Sequence, residues 1–236
     1  MLTTALVMLF ALAPIPPRVA AAANLSGVLE EIEHAWSKTC PDGCGLKVTY
    51  GASGSLEAQI ENGAPFDIFL SADMFYAKKL AGSGLADRAP FVYARGKLAL
   101  WVPPGSSLAI EEKGIAALRD SSVRHIAIGN PTLTPYGRLA LVVLEAARLD
   151  DPKRLVLGES VGQAAQQAQS GSVQAALLPL SLVLQMPGRH IEMPGTLEQG
   201  GVILTAAHEK ALARSFVDFL LSGEAKKIFA RHGYAP

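Results

Sequence analysis

The chain has 236 residues, half of them apolar and 18% charged, so it can bury a sizeable core and is not disordered. Lys and Arg total 21, as do Asp and Glu, and the formal net charge of zero excludes bulk electrostatic capture of nucleic acid or an anionic membrane. Selectivity for an anion would have to come from local geometry.

The first 18 residues, MLTTALVMLFALAPIPPR, hold an apolar run from Ala5 to Ala13. That run is too short to span a bilayer and suits the core of a signal peptide, so residues 1–13 are expected to direct export. The rival reading is a buried strand, because no Lys or Arg precedes the run. Next, Val19–Ala23 reads as a strand, and LSGVLEEIEHAW carries apolar residues at helical spacing. The only cysteines are Cys40 and Cys44, in TCPDGCG, where Pro-Asp-Gly turn chemistry can bring the sulfurs together. A disulfide fits export. A metal pair is the alternative, but no other Cys and no neighbouring His cluster exists to complete a four-ligand site.

Leu46–Tyr50 is strand-like, and Ser53 or Ser55 can cap the helix LEAQIENG. DIFL (67–70) is a short buried strand followed by the helix MFYAKKLAGSG. KLALWVPP then gives a strand closed by Pro-Pro, GIAALRD a helix and HIAIG a strand. In NPTLTPYGRLALVVLEAARL a turn leads into a long helix with Pro135 in its first turn. RLVLGES precedes the helix VGQAAQQAQSG, VQAALLPL reads as strand and turn, GGVILTA as a strand, and two helices broken at Ser222-Gly223 end the chain. Alternating strands and helices indicate parallel α/β sheets, and two sheets of about five strands each fit the length.

In open α/β sheets ligands bind beyond the carboxyl ends of the strands. Four strand-exit turns stand there: AAANLS, YGASGS, NPTLTPYG and GESVG, all free of Lys and Arg. Each leads into a helix, whose start carries unpaired N–H groups and about half a positive elementary charge. Converging helix starts bind an anion without a cationic side chain. Asn24, Ser53 and Tyr136 can add side-chain donors. The plainer reading makes Asn24 and Ser53 ordinary helix caps and Tyr136 a packed ring. Acids are scarce at these turns, Glu159 being the exception, which favours a fully deprotonated tetrahedral oxyanion over one whose O–H needs an acceptor. Against an enzyme, Gly51-Ala52-Ser53-Gly54-Ser55 misses the G-x-S-x-G nucleophile elbow at its fifth residue, and none of the five histidines falls in an H-E-x-x-H pattern.

GASGSLEAQIENGAPFDIFLSAD resembles the signature block of the periplasmic molybdate-binding proteins of ABC importers, within the type II periplasmic binding protein family. AAANLSGVLEEI, IAIGNPTLTPYGRLAL, GESVGQAAQQAQSGSVQAALLPLS and KKIFARHGY extend the resemblance in order over most of the chain. It implies a two-lobed α/β Venus-flytrap fold, each lobe a mostly parallel sheet flanked by helices. Lobe I is expected at 14–96 plus 200–236 and lobe II at 97–199, with hinge crossovers near 97 and 200. The implied ligand is molybdate or tungstate, held as an oxyanion by Asn24, Ser53, Tyr136 and the backbone N–H of Val161, with no direct protein–metal ligand and no cofactor. Ala23 and Pro179 depart from members that carry a hydroxyl and a Tyr there. The implied partners are a membrane permease and its ATPase, the implied state an exported periplasmic monomer, neither an enzyme nor a nucleic-acid binder. A sulfate-type binding protein is the alternative, followed by an enzyme or a sensor domain on the same fold.

Overall fold

The computed structural model describes residues 15–40 and 44–235; the expected signal segment, residues 1–13, lies outside the described residues. Eight strands form one mixed sheet: β1 (Arg18–Ala22), β2 (Lys47–Gly51), β3 (Ile68–Ser71), β4 (Phe91–Val102), β5 (Ile126–Gly129), β6 (Leu155–Gly158), β7 (Ala175–Pro179) and β8 (Arg189–Ile203). Their order is β2-β1-β3-β8-β4-β7-β5-β6. Around them pack α1 (Val28–Ser37), α2 (Ser53–Glu61), α3 (Met74–Gly82), α4 (Ile110–Lys113), α5 (Pro135–Ala146), α6 (Val161–Gln169), α7 (Leu180–Val183), α8 (Lys210–Leu220) and α9 (Gly223–Arg231).

The two halves expected from the element pattern are joined by β4 and β8, strands of 12 and 15 residues that run antiparallel to each other through both. One half orders β2, β1 and β3 beside the C-terminal part of β8; the other orders β7, β5 and β6 beside the C-terminal part of β4. Counting the shared strands in each, both halves have five. The sequence reading found only the ends of these two strands. Residues 189–199 alternate poorly and include Pro194-Gly195, so they lack a strand pattern, yet the ladder with β4 holds them extended despite shifts in register. GIAALRD is likewise a 3-10 helix at 114–119 rather than an α-helix, preceded by the single turn of α4 and opened by Gly114 at φ 56°.

Each half has its own core. Trp36 of α1 meets Phe216 of α8 edge to face, with ring centroids 5.2 Å apart, beneath β1 and β3. In the other half Trp101 packs with Ile126, Ile128, Leu144 and Leu177. Gly200 and Gly201, at the crossover near 200, do not have positive φ. A Cβ at Gly200 would lie 2.4 Å from the Met74 sulfur, and one at Gly201 2.7 Å from the Phe91 ring. Gly200 is required for close packing under α3, and Gly201 for the approach of Phe91 and Leu70. Cys40 and Cys44 are joined by a disulfide.

One surface cluster sets a pH dependence. Asp87 accepts from Lys210 Nζ and Arg214 Nη2, each at 2.9 Å, tying the segment after α3 to α8. The lysine first, then the arginine, pull its pKa from 3.8 down to about 2. Because the folded value is the lower one, the cluster stabilises the fold fully above pH 3.8 and loses that contribution as pH falls toward 2. The melting temperature of Asp87→Asn should therefore lie below that of the native chain at pH 6 and converge with it near pH 2. A gap that persisted unchanged at pH 2 would contradict this.

Candidate functional site

At the interface of the two halves, the strand-exit turns surround a small cavity lined by Ala22, Asn24, Ser53, Ala72, Tyr136 and Val161, among others. Asn24, Ser53, Tyr136 and Val161 therefore meet in one place, two from each half. All four are buried, at 0%, 1%, 1% and 5% exposure, so the cavity is closed over.

Three helix starts point into this region with their first N–H groups unspent. Ser53 opens α2 behind Ala52, which offers no side-chain cap. Ser53 is thus a first-turn residue rather than the cap. Its hydroxyl oxygen accepts from the Ala72 N–H at 3.0 Å, which leaves its own proton free to donate elsewhere. In α5 the Thr134 hydroxyl caps the Gly137 N–H at 3.0 Å and Pro135 has no N–H to satisfy. In α6 Ser160 caps the Gln163 N–H at 3.2 Å. Both caps bind beyond the second helical position, so the N–H groups of Tyr136 and Val161 have no intrahelical acceptor. Among the described residues no backbone acceptor serves the N–H of Ser53, Tyr136 or Val161.

Asn24 caps no helix. It sits in a 3-10 turn (Ala23–Leu25) between β1 and α1, whose own cap is Gly27 at φ 84°. Its carbonyl accepts from Ser181 Oγ and Tyr234 Oη, both at 2.9 Å. Tyr136 is buried as a ring, and its phenol oxygen accepts from Gln199 Nε2 at 2.9 Å. Burial, reinforced by Tyr234, holds that phenol well above its ordinary pKa, so it is a neutral donor. Gln199, Tyr93, Tyr234, Ser181 and Thr134 were not singled out from the sequence. The one available signal was Gln199, a polar residue entering the apolar run GGVIL.

Among the described residues, no Lys, Arg, Asp or Glu lines the cavity. Glu159 is exposed and stands in an outer cleft with Ser26, Tyr50, Ser55 and Gln163. The described lining is thus a neutral cluster of N–H and O–H donors at positive helix ends, with chemistry suited to a compact anion. Contacts across the interface keep it shut. Gly54 N–H donates to Leu133 O at 3.0 Å, and Arg138 of α5 reaches Asp73 Oδ2 at 2.5 Å and Tyr76 Oη at 3.1 Å. Its guanidinium also lies 5.3 Å from the Tyr76 ring centroid. Pro179, the C-terminal residue of β7, leads directly into α7, from which Ser181 makes its bond to Asn24.

A sheet crossed twice between halves, with a closed polar cavity at their interface, is an architecture of proteins that trap small solutes. Residues 17–235 match the family model described as bacterial extracellular solute-binding protein. The chain belongs to this family. Among curated solute-binding relatives, the molybdate-binding protein ModA of Azotobacter vinelandii is 33% identical over 229 residues, covering 92% of this chain and 88% of the relative. ModA of Rhodobacter capsulatus is 33% identical over 225 residues, covering 91% and 86%. The solved Azotobacter vinelandii periplasmic molybdate-binding protein superposes with a TM-score of 0.85 at 33% identity, covering 93% of this chain and 99% of that one. The sulfate-binding protein SubI of Mycobacterium tuberculosis, at 16% identity and a TM-score of 0.77, shares the solute-binding fold. No helix among the described residues is long and apolar enough to cross a membrane.

Proposed function

We propose that this solute-binding protein captures molybdate, or the nearly isosteric tungstate, in the periplasm and delivers it to an ABC permease and its ATPase. The observation that carries this reading is the closed cavity itself: four neutral residues, three helix starts and, among the described residues, no charged side chain. A doubly charged tetrahedral anion offers acceptors on every side and needs only donors. The Ser53 and Tyr136 hydroxyls and the N–H groups of Ser53, Tyr136 and Val161 supply them, and Asn24 completes the wall. Water exclusion strengthens each of these contacts. The relatives at 33% identity are named for molybdate, which selects this anion over sulfate. Residues 14–96 with 200–236 form lobe I in this reading, residues 97–199 form lobe II, and the crossovers near 97 and 200 are the hinge. The protein acts as a monomer and performs no catalysis.

Closure is the working step. The open form admits the anion, the anion joins the helix starts, and the permease reads the closed form. Small-angle scattering should show the radius of gyration shrinking when molybdate is added; an unchanged radius at saturating molybdate would refute closure on binding. Arg138 contributes to the closed form only, through Asp73 and Tyr76. Because the pair is partly exposed, Arg138→Met should cost about 1 kcal/mol of closure, seen as a roughly five-fold faster molybdate off-rate in stopped flow. Loss of the native chain's salt sensitivity in that variant is the accompanying sign, and an off-rate equal to the native one would show that the clasp does not bear on closure.

A further inference from the structure

Gln199 lies in β8 where that strand passes between the halves, opposite Ala94 of β4, and is fully buried. Its carboxamide touches residues of both halves at once. Oε1 accepts from Asn24 Nδ2 at 3.0 Å and lies 2.9 Å from Tyr93 Oη, while Nε2 donates to Tyr136 Oη at 2.9 Å. Room for this meeting comes from Gly96: a Cβ there would fall 1.8 Å from Tyr136 Oη and 2.3 Å from Gln199 Nε2. A side chain packed only for stability would not require two cavity-lining polar groups to share one amide.

Counting protons shows what the amide does. Tyr136 uses its oxygen to accept from Gln199, so its own proton is free, and Tyr136 lines the cavity. Asn24 spends its Nδ2 on Gln199 and on Tyr234 Oη at 3.0 Å, and its Oδ1, fully buried, has no partner among the described residues. If both carboxamides turn over together, the roles exchange. Asn24 Oδ1 then accepts from Gln199 Nε2, the Tyr136 proton goes to Gln199 Oε1, and Asn24 Nδ2 is released. An amide has one donor end and one acceptor end, so Gln199 cannot leave both neighbours free to donate.

We propose that Gln199 is a positioning residue for anion capture, whose carboxamide sets which of Asn24 and Tyr136 presents its side-chain proton to the cavity, one at a time. In the arrangement described here the donor is Tyr136. This rests on the oxyanion reading of the cavity. The titratable groups facing Gln199 are the phenols of Tyr93 and Tyr136, with Tyr234 behind Asn24; burial raises all three, so none changes charge near neutral pH.

The test is calorimetric titration of the full chain with molybdate, for the native protein and for Gln199→Met, Gln199→Glu, Tyr136→Phe and the Gln199→Met/Tyr136→Phe pair, with melting temperatures recorded alongside. Gln199→Met should weaken binding by about ten-fold, and the double variant should be no weaker than its weaker parent, because both act through the single Tyr136 hydroxyl donor. Gln199→Glu keeps the shape but accepts from both neighbours and adds charge, so at pH 8 it should bind more weakly than Gln199→Met. It should regain affinity as pH falls to 6 and its buried carboxyl takes up a proton, restoring a donor toward Tyr136, while native affinity stays flat. If Gln199→Met does not fold, the Gln199→Glu pH profile decides alone. Folded Gln199 variants within two-fold of native affinity, or fully multiplicative effects in the double variant, would overturn the proposal with the oxyanion reading intact. A native chain silent toward molybdate, tungstate and sulfate defeats the oxyanion reading, and this inference with it.

Discussion

Ser53→Ala should weaken oxyanion binding by about 1.5–3 kcal/mol, roughly 10- to 150-fold, the usual cost of removing a hydrogen bond to a charged group. The hydroxyl is oriented before any ligand arrives: its oxygen is held by the Ala72 N–H at 3.0 Å, so its proton is available to the cavity that Ser53 lines. Exposure of the residue is only 1%, and no water can replace the lost donor cheaply. Alanine also leaves the Ala72 N–H without an acceptor, so a modest loss of stability accompanies the loss of affinity. Val161→Ala is the control. It keeps the backbone N–H, and its affinity should stay close to native. Calorimetry on the two variants separates the readings: equal, small effects at both positions would mean that Ser53 is only a packed helix start.

Gly137→Ala should destabilise the fold by about 3 kcal/mol and abolish tight binding, because its methyl has nowhere to go. A Cβ at this position would stand 2.1 Å from Gly129 O and 2.7 Å from Gly129 C, both backbone atoms of β5 that no side-chain rotation can move. It would also meet the capping hydroxyl of Thr134 at 2.5 Å. Relief requires α5 to lift from β5, which carries Tyr136 out of the cavity and breaks the cap that leaves its N–H free. Thermal unfolding together with molybdate titration checks both halves of the expectation. A native-like melting temperature would show that the α5–β5 contact yields more easily than its geometry implies.

Much of the site was legible because a helix start beside a small-residue strand exit has a local signature. Ala52-Ser53, Thr134-Pro135-Tyr136 and Ser160-Val161 all lie within a residue or two of a strand end or turn that pattern alone can find, and the cavity gathers all three. The roles of single residues were less legible. Ser53 reads as a cap but is the first helical residue, because Ala52 turns the chain and the hydroxyl is taken up by Ala72, 19 positions away. Long-range partners of this kind leave no periodicity. The same holds for Gln199, whose contacts to Asn24 and Tyr136 span 175 and 63 positions. The paired strands β4 and β8 escaped for a related reason. Their outer stretches are half-exposed and interrupted by glycine, and only the pairing between them defines the strand.

Outside the site, the disulfide at Cys40–Cys44 closes the loop ahead of β2, and its small ring constrains the unfolded chain by about 2 kcal/mol at most. The two cores and the crossed strands carry the rest of the stability. Placing the neutral site at the seam between them leaves affinity dependent on closure rather than on net charge, which is zero for the chain.

The central claim is that neutral donors at converging helix starts hold a fully deprotonated tetrahedral oxyanion. Calorimetric titration of the purified protein with molybdate, then tungstate, sulfate and phosphate, tests it most directly. The account predicts tight one-to-one binding of molybdate and tungstate, with far weaker sulfate and phosphate. Tight phosphate binding with silence toward molybdate would contradict it.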